Sequence, residues 1–240
     1  MTLKLKLIIP IVVATVALTA RAQASPIVFT GNDPAATSIA TMPNSVVART
    51  SFDAAAALLG SIATIDFESV ALGAISSTSL GGGVTLDAGG NSSSVIASGV
   101  GSCGFNLCGG NTTAAGSHYA SAFGGDFLFS FTNPIQAFGA YFTGLQGAVV
   151  GQQTIVYSSG GTQTVNIPML NGGAAFVGFT DAGASIVAIQ IHFLNDIVGV
   201  DDVRYGPTNA VAAVPEPTSL LLLGTGVAGL VYRRRSRRVS

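Results

Sequence analysis

Three carboxylates carry the most pointed chemistry in this 240-residue chain. Glu68 closes an early alternating stretch, and Asp201-Asp202 opens a late one. Hard oxygen ligands of this kind suit a structural calcium ion, which gathers roughly six to eight oxygens. If the first and last strands of a jelly roll are neighbours, Glu68 and one of Asp201 or Asp202 supply the carboxylates. Backbone carbonyls and water then complete the shell. Successive strand residues point to opposite faces, so only one of the two aspartates faces Glu68. Solvated turn acids are the plain alternative.

Other chemistries find less material. A serine triad needs a histidine and an acid beside the nucleophile, and the chain has only His118 and His192 and no G-x-S-x-G elbow. His118 ends a loop and reads as surface polar. His192 lies in the apolar stretch 189–194 and reads as a satisfied or outward-facing side chain. There is no H-E-x-x-H, which zincin chemistry requires. A carboxylate pair of the glycoside-hydrolase kind stays open, because any two acids can meet in three dimensions. For a sugar platform the chain offers no tryptophan, leaving Tyr119, Tyr141, Tyr157 and Tyr205. Cys103 and Cys108 flank four residues. Outside the cytoplasm they read as a local disulfide worth about 2 kcal/mol, with two free thiols as the alternative. Two cysteines without nearby histidines make only half a zinc site.

Both ends of the chain say where such residues operate. Lys4 and Lys6 precede an apolar run over 7–18, and Ala22-Gln23-Ala24 forms an A-x-A cleavage site before Ser25, so residues 1–24 read as a signal peptide. At the other end Pro215-Glu216-Pro217 is a stiff, extended stop. An uncharged run over 218–232 follows, then five arginines within 233–238. Fifteen helical residues span about 22 Å, short against a hydrocarbon core of about 30 Å, but snorkelling arginines make a transmembrane helix feasible. Positive charge stays in the cytoplasm, which puts the body of the chain outside. Within this run Gly224-Thr225-Gly226-Val227-Ala228-Gly229 matches G-x-G-x-x-G. The strand, helix and downstream acid of a dinucleotide site are missing, so the small residues read as a helix-packing face.

The order of Pro215-Glu216-Pro217, apolar span and terminal arginines resembles the PEP-CTERM sorting signal of Gram-negative bacteria. The resemblance implies recognition by an exosortase, transit through the inner membrane, and delivery to the cell surface or extracellular polymer. The protein would be the substrate of that enzyme. The body resembles ectodomains common among PEP-CTERM proteins, on the stretches 51–60, 64–68, 129–134, 137–139, 176–179 and 199–205. That likeness implies a lectin-like β-sandwich with no established chemistry.

Between the two ends composition is lopsided. From residue 25 to 214 two basic residues, Arg49 and Arg204, stand against ten acidic ones, a balance of −8. Nucleic-acid binding needs a basic face and is excluded. The periodicity predicts an all-β sandwich or jelly roll with one short helix. That helix is expected over 51–59, with Ser51 as N-cap and Gly60 beyond its end. Strands are expected over 27–30, 62–68, 83–86, 94–98, 127–132, 135–142, 154–158, 163–167, 174–179, 185–193 and 200–205, with a Gly160-Gly161 hairpin turn and a loop over 99–117. The domain plan is a lead-in over 25–50, a sandwich ectodomain over 51–206, a linker over 207–214 and a sorting signal over 215–240. The expected function is that of an exported, non-enzymatic surface or matrix protein associated with exopolysaccharide, with no cofactor beyond calcium. A carbohydrate-binding module and a secreted glycoside hydrolase are the alternatives.

Overall fold

The structure is a computed structural model and describes residues 25–89, 94–101 and 105–207. The signal peptide, Cys103, the transmembrane run and the Pro215-Glu216-Pro217 motif lie outside these residues. In chain order the elements are β1 (Ile27–Asp33), a 3-10 turn (Ile39–Thr41), α1 (Pro43–Ala57), β2 (Ala63–Ile65), β3 (Gly73–Ala74), β4 (Ser77–Gly81) and β5 (Val84–Gly89). Then come β6 (Val95–Ser98), α2 (Phe105–Cys108), β7 (His118–Phe123), β8 (Asp126–Ile135), β9 (Ala137–Thr143), α3 (Gly147–Val150) and β10 (Thr154–Ser158). The last are β11 (Thr162–Asn166), β12 (Ala174–Thr180), β13 (Ile186–His192) and β14 (Ile197–Gly206).

The strands form two antiparallel sheets. Sheet A runs β1-β12-β9-β14-β7-β6-β3, with β2 pairing the far half of β14, and sheet B runs β11-β10-β13-β8-β5-β4. Phenylalanines fill the space between them. Phe138 meets Phe129, Phe131 and Phe179, with ring centroids 5.7–6.4 Å apart, and Tyr157 stacks flat on Phe179 at 4.2 Å. The all-β sandwich expected from the strand spacing is therefore the observed architecture.

The central strands of sheet A are buried on both faces. Every residue of β9 and of β12 is buried. Phe138, Ala140 and Phe142 face the inter-sheet core, while Ala137, Tyr141, Ala174 and Phe176 face a second core under α1. The helix buries Ser45, Ala48, Phe52 and Ala56, a stripe at helical spacing. Its close approach depends on two facing glycines, Gly139 and Gly178. A Cβ on Gly178 would sit 2.8 Å from the Phe52 ring, and one on Gly139 would sit 2.7 Å from Phe176.

The helix differs from expectation: it starts at Pro43, not at 51. Pro43 occupies the first turn, where its missing N–H costs nothing. No neighbouring side chain caps it. Asp33, at the end of β1, does so from a distance: its carboxylate accepts from the Asn44 amide at 3.2 Å and the Ser45 amide at 2.8 Å. Ser51 sits mid-helix and donates back to the Val47 carbonyl. The residues expected as an irregular lead-in thus supply an edge strand of sheet A and most of a helix. Strand β7 begins just past the loop expected over 99–117 and was not among the expected strands, because its small residues Ala120, Ser121 and Ala122 carry no strand signal. Strand β2 stops at Ile65 because Phe67 adopts φ +60° and Asp66 Oδ1 accepts from the Glu68 amide at 3.2 Å.

Ile27, Thr180, Ala137 and Gly206 stand side by side across sheet A. Both ends of the described domain therefore leave from one pole.

Candidate functional site

Strand β14 carries a β-bulge that shapes the site. Asp201 pairs with Tyr141, and the next pair is Arg204 with Gly139. The extra residue is accommodated by Asp202 at φ +48°. The alternation resets there, so Val198 and Val200 face the inter-sheet core before the bulge and Val203 and Tyr205 after it. The bulge therefore leaves both aspartates on the outer face of sheet A, not on opposite faces as plain strand alternation predicts, and the Thr113 hydroxyl reaches both.

Asp201 is 1% exposed and lies under the segment that follows α2. Its Oδ2 accepts from the Thr112 amide at 2.6 Å, the Thr113 amide at 3.0 Å and Asn111 Nδ2 at 3.2 Å, while Oδ1 accepts from the Asp202 amide at 2.7 Å. Burial pushes its carboxyl up to about 7, against the pull of the Thr112 and Asp202 amides. Glu68 grips the same segment further on. Its Oε1 accepts from the Ser117 amide at 2.6 Å, the His118 amide at 2.8 Å and Asn111 Nδ2 at 3.2 Å. Asn111 is thus the common point of Glu68 and Asp201, and its Nδ2 also donates to the His118 carbonyl at 3.0 Å. Three oxygens converge on one nitrogen that has two protons to give.

Asp202 turns toward the helix side. Burial raises its carboxyl, while Arg204 and Arg49 lower it, and Thr113 Oγ1 donates to it at 3.4 Å. The structure brings Glu68 and Asp201 to one amide, with Asp202 reached only through Thr113. Among the described residues no group of three or more His, Cys, Asp or Glu side chains is arranged to hold a metal ion.

The segment is also pressed onto the sheet by backbone. Gly109 approaches so closely that a Cβ there would lie 2.4 Å from the Gly199 amide, and Thr143 Oγ1 accepts from the Gly110 amide at 2.9 Å. His118 is a staple and not the surface residue expected: its Nδ1 lies 3.1 Å from the Val70 carbonyl and 3.3 Å from that of Phe67. With two acceptors facing it, Nδ1 carries the proton. Cys108 is buried at the end of α2; its expected partner Cys103 lies outside the described residues.

Sequence reasoning missed how the remaining acids are used. Asp53 accepts from Arg49 at 3.1 Å and from Arg204 at 3.2 Å, so both cations of the ectodomain meet on one carboxylate between α1 and sheet A. Asp196 is buried and accepts from the Gln146 amide at 2.7 Å, the Ile197 amide at 2.8 Å and Gln153 Nε2; burial raises its carboxyl. Asp181 is buried and accepts from the Tyr157 hydroxyl at 3.2 Å. On the outer face of sheet B, Asp126 holds His192 Nδ1 at 2.6 Å and Gln190 Nε2 at 2.9 Å, which satisfies the outward-facing histidine. The tyrosines offer no sugar platform: Tyr119, Tyr141, Tyr157 and Tyr205 are all 5% exposed or less. No signal in a single sequence pairs an acid with a backbone amide dozens of residues away.

Comparison with known proteins places the PEP-CTERM protein-sorting motif on residues 213–238. The chain therefore carries a sorting signal that implies export and recognition by an exosortase. No curated protein matches the chain. Among solved structures it is similar to the K2 cleaved adhesin domain of Lys-gingipain, at 13% identity and a TM-score of 0.41, over 61% of this chain and 100% of that domain.

Proposed function

We propose that this protein is an exosortase substrate delivered to the cell surface or extracellular matrix, where its sandwich domain serves as a non-enzymatic structural or binding module. The carrying observation is the sorting motif on residues 213–238, in which Pro215-Glu216-Pro217 precedes the apolar run and the arginines. The fold is consistent with a domain presented from a membrane. Both of its ends leave from one pole, so the opposite pole projects outward. The acids support the non-enzymatic reading, because they are engaged as anchors. Asp33 caps a helix, Asp53 collects two arginines, Asp196 holds the Gln146 amide, and Glu68 and Asp201 pin one segment. The test is the intact mass of the mature protein from its native host. A mass ending near 215–217 and starting at Ser25 supports processing at both ends. A mass retaining the arginines of 233–238 recasts the protein as a domain tethered to the inner membrane.

A structural calcium is the second reading, favoured by the excess of acceptors at Asn111. Glu68 Oε1, Asp201 Oδ2 and the His118 carbonyl all lie within 3.2 Å of Asn111 Nδ2. Rotating that amide away leaves three hard oxygens facing one point, to be completed by further carbonyls and water. Melting in millimolar calcium and in EDTA decides it. A rise of several degrees with calcium supports the site, and identical melts end the idea.

A further inference from the structure

Both faces of the central strands of sheet A and the inner face of sheet B are filled, but the outer face of sheet B is not. Along β10, β13 and β8, Thr154, His192 and Asp126 stand in one cross-strand row. Gln190 stands in the next row, with Asp87 two strands away in the same row. These side chains are half-buried or exposed. We propose that this face, centred on Asp126, Gln190 and His192, binds a neutral, hydroxyl-rich polymer, that is, a polysaccharide without anionic groups. The proposal rests on the reading of the protein as an exported matrix component and names its partner.

Four observations carry it. Asp126 is gripped by both neighbours, at 2.6 Å to His192 Nδ1 and 2.9 Å to Gln190 Nε2. That fixes both side chains in place and leaves His192 Nε2 and Gln190 Oε1 turned to a ligand; no described residue bonds to either. With Nδ1 donating to Asp126, the two remaining atoms are both acceptors, which suits a vicinal pair of hydroxyls donating one proton to each. Neighbouring strands lie about 4.8 Å apart: Thr154 extends the Asp126–His192 row onto β10, while Leu128 and Val156 flank Gln190 and Thr164 lies beyond Val156 on β11.

Charge then selects among polymers. The ectodomain's two cations are spent on Asp53, beyond sheet A. An anionic polymer would meet only Asp126 and Asp87 here, and the net charge of the domain repels it. A protein partner would need aromatic or large apolar anchors, and the aromatic rings of sheet B, Phe127, Phe129, Phe131 and Tyr157, are packed in the inter-sheet core; the half-exposed Phe123 stands on sheet A. Placement agrees as well. Ile135 lies near the pole where the chain leaves, since the adjacent Gln136 amide donates to the Gly206 carbonyl. Asp126 is at the far end of the same ten-residue strand, on the outward side. With no aromatic platform each sugar contact is weak, and retention depends on many sites along a polymer.

The experiment is affinity electrophoresis of the full chain in non-ionic detergent, in gels containing hydroxyethyl cellulose, dextran or alginate. Retardation by at least one neutral glucan and not by alginate is expected. The double substitution Gln190→Ala/His192→Ala should weaken it about tenfold or more, the loss expected of two hydrogen-bonding side chains. Thr154→Ala should weaken it less, and Leu58→Ala, on the exposed end of α1, should not change it. Unchanged melting of each variant shows that the fold is intact. No retardation by either neutral glucan, retardation by alginate alone, or equal retardation of the double variant overturns the proposal. Sorting is read separately by intact mass, so a correctly processed protein that ignores glucans sinks the site and leaves the exported-protein reading standing.

Discussion

Asp201 makes the stability of this domain depend on pH in a direction opposite to that of an ordinary salt-bridged aspartate. Its carboxyl is pushed up to about 7 by burial, whereas in the unfolded chain it titrates near 3.9. Between those values the folded state holds a proton that the unfolded chain has lost. Unfolding therefore releases a proton, and stability falls as pH rises. The contribution is fully present below about 4 and is gone once pH passes about 7. At about 1.4 kcal/mol per pH unit the ceiling is about 4 kcal/mol. Asp196 and Asp202, raised in the same direction by burial, add to the slope. The measurement is urea unfolding at pH 4.5, 6.0 and 7.5 with EDTA present, for the wild type and for Asp201→Asn. The wild type should lose a few kcal/mol across that range, and the variant should lose distinctly less. A wild-type profile that is flat or rising would mean that the Thr112, Thr113 and Asp202 amides hold the carboxylate ionised, and the burial argument would fail. Calcium should reverse the wild-type trend if it binds Glu68 and Asp201, because a cation favours the ionised form.

Other substitutions read the remaining anchors. Asp33→Ala removes the acceptor of the Asn44 and Ser45 amides; only Ser45 is buried, so the cost is about 2 kcal/mol in urea unfolding. Ser45→Ala should cost less, because it deletes one hydroxyl donor to Asp33 and Gly31 but leaves the Asn44 and Ser45 amides capped by Asp33. Phe52→Ala empties the second core and should cost about 3–5 kcal/mol. Gly178→Ala pushes a methyl into the Phe52 ring and should cost about 1–3 kcal/mol, with the loss partly recovered when Phe52 is shortened to Leu. Glu68→Ala removes the acceptor that the Ser117 and His118 amides share, so hydrogen exchange at 111–118 should accelerate while the inter-sheet strands stay protected.

How much of this was legible follows from the range of each signal. Strands with alternating or aromatic residues, such as β10, β12 and β13, announce themselves within five to seven residues, and the Gly160-Gly161 turn fixes the β10–β11 hairpin locally. Strand β7 does not, because Ala120, Ser121 and Ala122 are small to suit a crowded sheet, and small residues are neutral locally. The start of α1 was hidden for a different reason. Its cap is Asp33, in another element, and Val46 and Val47 look like strand until the Asp33 carboxylate holds the Asn44 and Ser45 amides. The same range limit applies to the site. Glu68 and the 201–202 pair were visible as residue types, but the loop amides that occupy them are more than forty residues away from each.

The second core explains why the helix matters to function as well as to stability. A sandwich with one wet face on each sheet would offer two surfaces to a ligand. Here α1 fills one end of sheet A's outer face, with Phe52 seated over Gly139 and Gly178, and the segment around Asn111 fills the other, held by Glu68 and Asp201. That coverage engages the ectodomain's only two cations and five of its ten acids, Asp33, Asp53, Glu68, Asp201 and Asp202. What is left open, the outer face of sheet B, carries no arginine or lysine and two carboxylates, Asp126 and Asp87. A −8 domain with its arginines locked beneath a helix repels anionic polymers from every side, and the hydroxyl and amide rows around Asp126 and His192 are the surface on which a neutral one meets least resistance. Reversing the charge logic is therefore the sharpest probe of the whole arrangement. Placing lysines on this face, as in Thr154→Lys with Thr164→Lys, should create alginate retention that falls with salt and weaken retention on neutral glucan. If neutral-glucan retention is untouched, the polymer is not bound on sheet B.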